Sequence, residues 1–549
     1  MDSPPRSLTP ERDDEFDRYA HTPTLPLPQG TYTLLPLVDA CDKFEVPRGP
    51  WSAADCRKRW EDHVQKKQVR ATVPDGINGG SALDDDEEED ESAPTSLEDE
   101  FLVPLFLALP PSAPSAPSTP ARRSSSSSSS RPSFSRLTPL SPTSATRPSP
   151  PSPLPPTSAE ASHPVGFLRP SIVRALIEDN RKLVGMNVKP VWRFDPPISF
   201  PPPTRRPSYG SSRPGSRRGS RTALNALSSS TPQPGTPAEN ATTDGAALDS
   251  VLEGLRDLAA SNSGAASGKA QTGPWAVAFE EGLTKEERRE HVDRIVRGWK
   301  MAGMFLDQLG GWRDEDYTIY GPVSPPSFDE KNANPLPGSN EAFRMERSAC
   351  ALFGVATFGV HCTAYVEEEG KPLRLWVPRR SSTKQTWPSM LDNTVAGGIT
   401  AGDLPRYSIL RECAEEASLP PHFVAPRLKQ GGVITYCYRT KEGWVQPEVQ
   451  YIYDLPLPPP ALAATLTPTG EPASYNPTTN PDDGEVESFE LLDLEDVVER
   501  MVRGEFKPNC ALVLLDFFLR HGLLTSESDT RFLEIATRLH RPLGLPGPA

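Results

Sequence analysis

The 549-residue sequence predicts an α/β sandwich over residues 346–549, a mixed sheet held between helices, preceded by a smaller α/β region that insertions interrupt. Three observations point there. From about residue 274 onward, apolar runs of strand length alternate with amphipathic helical stretches. A glycine turn opens a helix that gathers three carboxylates. The 65 prolines, more than twice the usual share, concentrate in stretches too poor in apolar residues to fold.

The elements follow in order. Residues 1–30 are polar and proline-rich and are expected to be disordered. Residues 32–44 (YTLLPLVDACDKF) and 51–64 (WSAADCRKRWEDHV) carry apolar and aromatic residues that can pack, and an insertion is expected at about 66–98, where the acidic run 84–91 lies. Residues 101–109 form an apolar run of strand length. A second insertion, about 110–160, includes seven consecutive serines and cannot bury a core. The stretch GFLRPSIVRALIEDNRKL reads as a strand end and then a helix starting near Pro170 or Ser171. Low complexity returns over about 201–273. Thr284 and Glu287 make a capping box that opens a helix to about Arg297, with Val292, Ile295, Val296 and Trp299 on its apolar side. These pieces make up an expected N-terminal domain, 31–345. In the second domain, 346–549, residues 347–365 and 374–377 read as buried strands joined by a turn, and 432–440 with 448–455 as a hairpin. A proline-rich loop is expected at about 456–481. Residues 491–501 and 510–521 read as helices, the second with Asn509 as N-cap.

The chemistry concentrates in residues 397–419, GGITAGDLPRYSILRECAEEASL. Leu410, Cys413, Ala414 and Ala417 fall at i, i+3, i+4 and i+7, the apolar stripe of an amphipathic helix. Glu412, Glu415 and Glu416 repeat the i, i+3, i+4 spacing on another face. Three like charges so close repel, and a divalent cation offsets that repulsion; hard carboxylate oxygens select Mg2+ or Mn2+. Gly397 and Gly398 let the backbone turn tightly, and Arg411 can pair with an acid of the same loop. In spacing, Gly397, Asp403, Arg411, Glu412, Glu415 and Glu416 resemble the Nudix box GX5EX7REUXEEXGU. Two positions depart from it: Asp403 stands where that family has Glu, and Ser418 where it has Gly.

Composition limits the other function classes. A net charge of −15 argues against a general nucleic-acid-binding surface. Seven cysteines, odd in number and without a CxxC pair, indicate a reducing compartment with neither a disulfide framework nor a zinc site. The first residues lack the apolar core of a signal peptide, and no run approaches the 18 apolar residues of a membrane span. A cytoplasmic protein with no membrane association is expected.

The resemblance extends beyond the box. The segments LWVPRRSSTKQTWPSMLDNTVAGGI, EGWVQPEVQYIYDL, GEVESFELLDLEDV and EFKPNCALVLLDFFLRHG resemble the fungal and plant Nudix hydrolases related to thiamine pyrophosphokinase. YTLLPLVDACDKF, VGFLRPSIVRAL, GWKMAGMFLDQLGGWRDEDYTIYG and FRMERSACALFGV are similar to that family's N-terminal domain. The resemblance implies the Nudix α/β/α sandwich and hydrolysis of a small-molecule diphosphate, thiamine diphosphate or its oxidised or damaged analogues, to the monophosphate, a metabolite-repair role. It implies that Glu412, Glu415 and Glu416 hold the metal, that Glu416 can also activate water, and that Glu485 or Glu487 is the downstream acid such enzymes recruit. Asp403, one methylene shorter than Glu, belongs behind the metal ligands. Trp387 and Trp444 can stack on a thiazolium or pyrimidine ring or belong to the core. Arg379, Arg380 and Lys384 can grip the diphosphate or form a solvated basic loop. Two further readings share the sequence. One is a regulatory scaffold, with basophilic protein-kinase sites at Ser208 and Ser220; the other is a Nudix enzyme acting on nucleotide sugars or dinucleotides.

Overall fold

The computed structural model of the chain describes residues 25–47, 49, 51–72, 101–109, 163–199, 274–322, 338–466, 470 and 472–549. The insertions expected at about 110–160 and 201–273, and the kinase sites at Ser208 and Ser220, lie outside the described residues. Among the described residues, no helix is long and apolar enough to cross a membrane.

Along the chain, helices α1 (Leu35–Cys41) and α2 (Ala53–Thr72) precede strands β1 (Val103–Phe106) and β2 (Gly166–Leu168). Helix α3 (Pro170–Gly185), strands β3 (Trp192–Asp195) and β4 (Ala276–Phe279) and helix α4 (Lys285–Met301) follow. The four strands form one sheet in the order β2-β1-β4-β3, with only β1 and β4 parallel. Strands β1 and β4 are buried at every position, which is why their sequences are apolar without alternation. Helices α3 and α4 cover this sheet, with Ile172, Leu176, Val292, Val296 and Trp299 in one core with Phe279 and Trp192. The α4 capping box is complete: the Glu287 amide donates to Thr284 Oγ1 at 3.2 Å and the Thr284 amide to Glu287 Oε2 at 2.8 Å. In α3, buried Asn180 accepts from the Val191 and Trp192 amides and donates to the Trp192 carbonyl, fixing β3 to the helix.

A hairpin, β5 (Asp316–Tyr320) with β6 (Glu341–Glu346), leads to the second sheet. Its strands are β7 (Thr357–Val366), β8 (Arg374–Arg380), β9 (Val395–Gly398), β10 (Lys429–Arg439), β11 (Val445–Pro456) and β12 (Val486–Asp493). The order is β10-β11-β7-β8-β12, with β9 also paired to β7; β7 and β11 run parallel and the other pairs antiparallel, so the sheet is mixed. On one face lies helix α5 (Pro405–Ala417), whose Ile409, Cys413 and Ala417 pack on Val360, Cys362, Ala364 and Leu455. The other face is closed by α6 (Leu494–Val502), α7 (Pro508–Arg520) and α8 (Phe532–Leu539), with Leu512, Leu515 and Phe517 against Leu375, Val377 and Ile452. The α/β class and the α/β/α sandwich read from the sequence are those of the structure.

Several expectations need correction. Residues 347–353 form short helical turns before β7 rather than strand, because Gly354 (φ +54) ends them in the left-handed conformation. Residues 491–493 finish β12, so the following helix starts at Leu494. Lys507, not Asn509, caps α7, with Pro508 at the first helical position. Residues 25–41 belong neither to a disordered tail nor to the core of the first sheet, whereas Phe44 and Val46 cluster with its Phe106 and Phe167. Leu25 is buried and its amide donates to the Leu523 carbonyl, the Leu34 amide donates to Asp529 Oδ2 at 2.7 Å, and α1 packs in the core of α7 and α8. Helix α2 runs to Thr72, beyond the expected insertion start at 66. The described end of the expected 456–481 loop meets α5, where the Thr478 amide donates to the Ala417 carbonyl and Asn480 Nδ2 to that of Glu415.

Candidate active site

The acidic site is built where β9 ends and α5 begins. Val360 stands opposite Gly397 and Gly359 opposite Gly398, so the chain leaves the sheet at Gly398, loops through 399–404 and enters α5 at Pro405. A Cβ at Gly397 would overlap the Glu412 carboxyl, so the absence of a side chain there lets that carboxyl lie against the loop backbone. Helix α5 presents Glu412 and Glu416, one turn apart, to β9, while Glu415 is exposed. The Ala396 amide donates to Glu416 Oε2 at 3.0 Å, and Arg411 Nη2 donates to Glu412 Oε1 at 3.1 Å. Asp403 lies 3.9 Å from the same guanidinium, an ion pair too long for a hydrogen bond. Burial first, then Glu415, Glu485 and Glu315, pushes the Glu412 carboxyl up to about 7 against the pull of Arg411. Burial and the Glu412 charge raise Glu416 well above the usual carboxylate range, against the Ala396 N–H.

The helix ends on Ser418, in the left-handed conformation at φ +53, with the following amide of Leu419 donating to the Cys413 carbonyl. This is the position at which the box carries glycine, and the backbone keeps the glycine conformation with a side chain attached.

The remaining expected residues separate into two groups. Glu485, at the start of β12, pairs with Lys384, and its carbonyl accepts from the Ser381 amide. Its charge acts on both Glu412 and Glu416, so the structure brings it to the acids. Glu487 sits at the register shift between Val486 and Ser488 and is exposed. Arg379 is exposed at its guanidinium, which donates to the Ser389 carbonyl. Arg380 does not fit a free diphosphate clamp: its guanidinium donates to Asp392, at 2.6 Å, and to the Thr386 and Trp387 carbonyls, tying down the 381–390 loop. Trp387, half-buried on that loop, meets Tyr438 of β10 edge-on. Trp444 is not available to a ring from solvent. It is 4% exposed in the core of the first sheet, its Nε1 donates to Asp307, and Arg169 covers its face at 4.7 Å.

Sequence reasoning missed the polar groups that surround the acids. Burial opposes ionisation of Asp392, yet Lys507, Arg380 and the Cys510 thiol hold it well below the usual carboxylate range. His361 Nδ1 and Asn393 Oδ1 are 2.7 Å apart; burial first, then Lys507, lowers the imidazole to about 4, so it is neutral near pH 7 and donates to the amide oxygen. On β10 and β11, Tyr436 donates to Glu448, and Gln450 Nε2 donates to Glu448 at 2.7 Å and to Tyr436 at 2.9 Å. Asn509, expected as a cap, donates to Tyr436 as well. Among the described residues, Gln450 Oε1 is buried without a hydrogen-bond partner, beside Gly359 and the Gly397 carbonyl. Glu315, outside the second sheet, accepts from Thr400 on the loop at 2.8 Å. Alternating polar residues in strands such as EVQYIYDL were the available signal, but which face they lined was fixed only by the parallel β7–β11 pairing.

The donor set fits a hard divalent cation. Two carboxylates are held together in partial burial, which penalises their charge until a cation compensates it. Glu412 and Glu416 would hold the ion, with Glu415 at the solvent edge. Among the described residues, the group whose ligand atoms converge within 4.8 Å is instead His361, Asp392 and Cys510. That group is an unfavourable cation site: Asp392 is paired to Arg380, and Lys507 acts on all three members.

A mixed sheet between helices, with a glycine turn feeding a carboxylate-bearing helix, defines the Nudix class, and the NUDIX domain family matches residues 357–510. An uncharacterized protein of Saccharomyces cerevisiae is 34% identical over 272 residues, covering 48% of this chain and 70% of that one. Nudix hydrolase 20, chloroplastic, of Arabidopsis thaliana is 35% identical over 261 residues, 46% of this chain and 58% of its own length. Among solved structures, that of a Deinococcus radiodurans protein covers 37% of this chain and 99% of its own at 16% identity, with a TM-score of 0.22. The chain belongs to the Nudix hydrolase family and is an enzyme of that class.

Proposed function

We propose that the protein hydrolyses the diphosphate of thiamine diphosphate, or of its oxidised or damaged analogues, to the monophosphate and phosphate, with Mg2+ or Mn2+ held by Glu412, Glu416 and Glu415. The observation that carries the hydrolytic reading is the half-buried Glu412–Glu416 pair beside Gly397, whose charges Arg411 and the Ala396 N–H compensate only in part. The thiamine-type substrate rests on the resemblance of the segments flanking the box.

The linkage is inert because its phosphorus is shielded by negative oxygens. A cation held by Glu412, Glu416 and Glu415 would supply charge neutralisation and a more acidic water. The chain's own residues do the rest. Lys384, on the loop facing Glu485, and Arg379, near the end of β8, meet the diphosphate oxygens, and the Arg411 guanidinium holds Glu412 on the glycine loop. Glu485, paired with Lys384, takes a proton from the attacking water. Trp387 at the rim covers the organic group.

The test is a release assay with the full chain and Mg2+ or Mn2+, comparing thiamine diphosphate, its oxo and oxy analogues, ADP-ribose and NADH. Damaged thiamine diphosphates should show the highest kcat/KM, with a preference of about tenfold to a hundredfold over the intact cofactor, the worth of one or two buried hydrogen bonds. Faster turnover of ADP-ribose or NADH than of every thiamine compound would overturn the substrate and leave the broader hydrolase.

A further inference from the structure

We infer that the segment Glu315–Tyr317, outside the matched NUDIX domain, sets the shape of the 399–404 loop, with Glu315 acting as a positioning residue for the Glu412–Glu416 pair. The inference rests on the hydrolytic reading of that pair.

Three contacts converge on the loop from this one segment. Thr400 Oγ1 donates to Glu315 Oε1 at 2.8 Å. The Ala401 amide donates to the Asp316 carbonyl at 2.8 Å. The buried Tyr317 hydroxyl occupies the space a Cβ would need at Gly398, so the absence of a side chain there admits the tyrosine. The segment is itself anchored. Arg347 Nη1 pairs with Glu315 Oε2 at 2.8 Å, the Arg347 amide donates to the Glu315 carbonyl, and the guanidinium lies 5.4 Å from the Tyr317 ring centre. Tyr317 pairs with Met345 across the β5–β6 hairpin, and Arg289 of α4 pairs with Asp316 at 2.7 Å.

The loop needs an outside support because its inside tie is short. Asp403 stands where the box carries glutamate, and at 3.9 Å it does not reach Arg411 with a hydrogen bond. Within the loop the Asp403 amide donates to the Thr400 carbonyl, so the hydroxyl that Glu315 holds belongs to the residue closing that turn. Moving Thr400 therefore moves the turn that leads from Gly397, beside the Glu412 carboxyl, through Gly398 into α5. Misplacement of reacting groups by about 1 Å can cost a hundredfold in rate.

The experiment uses the full chain with Glu315→Ala, Glu315→Gln, Thr400→Val and the Glu315→Ala/Thr400→Val double variant. Glu315→Ala and Thr400→Val should each lower kcat about tenfold with KM within about twofold, since orientation and not ground-state binding is lost. Glu315→Gln, which keeps an acceptor for Thr400, should retain most of kcat. The double variant should be no slower than the worse single one, because both remove the same contact. Hydrogen–deuterium exchange over 397–404 should quicken in both single variants, a readout that needs no substrate. Wild-type kcat and exchange in Glu315→Ala and Thr400→Val would overturn the inference, and so would additive losses in the double variant. If Glu315→Ala fails to fold, Thr400→Val alone decides. If the wild type hydrolyses no diphosphate, the hydrolytic reading falls, while exchange still decides whether Glu315 holds the loop.

Discussion

At the scale of single residues, Glu412 and Glu416 are kept as carboxylates in surroundings that disfavour their charge. Glu416→Gln preserves the shape and, through its amide oxygen, the bond from Ala396, but deletes one charge from the cation site. Hydrolysis should fall on the order of a hundredfold or more with the melting curve unchanged, measured as phosphate release beside circular dichroism. Glu412 gives a second prediction, with a definite sign. Its folded value of about 7 exceeds the ordinary 4.5, so between those pH values the folded state holds a proton that the unfolded chain has released. Stability contributed through this group in the metal-free protein therefore falls as pH rises from about 4.5 to about 7. A cation that compensates the charge competes with that proton, so Mn2+ should raise Tm more at pH 8 than at pH 6. An equal rise at both values would remove Glu412 from the cation site.

At the scale of elements, α5 was the most legible part of the chain, because its acids, its arginine and its preceding glycines report the same geometry. Its buried stripe was read less well: Ile409, Cys413 and Ala417 carry the contact, and Leu410 and Ala414 lie toward its margin. Strands β10 and β11 were legible from their apolar runs. The pairing of β11 with β7 was not, since it joins residues far apart in sequence, and it is this pairing that sets Gln450 opposite Gly359. Arg380 and Trp444 could not be placed from sequence for a related reason: a basic residue in a loop and an aromatic in a hairpin have many partners, and only the fold chooses. The end of α5 carries its own prediction. Ser418 occupies a left-handed position at φ +53 that glycine adopts without strain, and its side chain is exposed. Ser418→Gly should raise stability by about 0.5 kcal/mol, the strain relieved being partly offset by a freer unfolded chain, with kcat within about twofold. A fall in Tm in chemical or thermal melts would mean that the serine side chain contributes to the helix end.

At the scale of the whole molecule, the long insertions enter between strands that are already neighbours. Val103 stands opposite Leu168, and the Val165 amide donates to the Leu105 carbonyl at 2.7 Å, so β1 and β2 pair whatever lies between them. Replacing 110–158 by a short glycine-serine linker should leave hydrolysis within about twofold and Tm nearly unchanged, because closure entropy grows only slowly with loop length. Loss of solubility in the shortened protein would show that the insertion contributes to the fold. The sequence marked these insertions by composition alone, whereas the placement of 25–41 against α7 and α8 left no local sign. That placement has a consequence for synthesis. Leu34 and its acceptor Asp529 are 495 residues apart, and Arg541 pairs with Asp42. On the ribosome, the apolar face of α1 must stay soluble until residues 508–541 have emerged, so the sandwich is sealed by some of the oldest described residues meeting some of the newest. Such late, long-range closure slows folding and leaves a nascent chain exposed to premature association, and a chaperone holding α1 would act at that stage and at no later one.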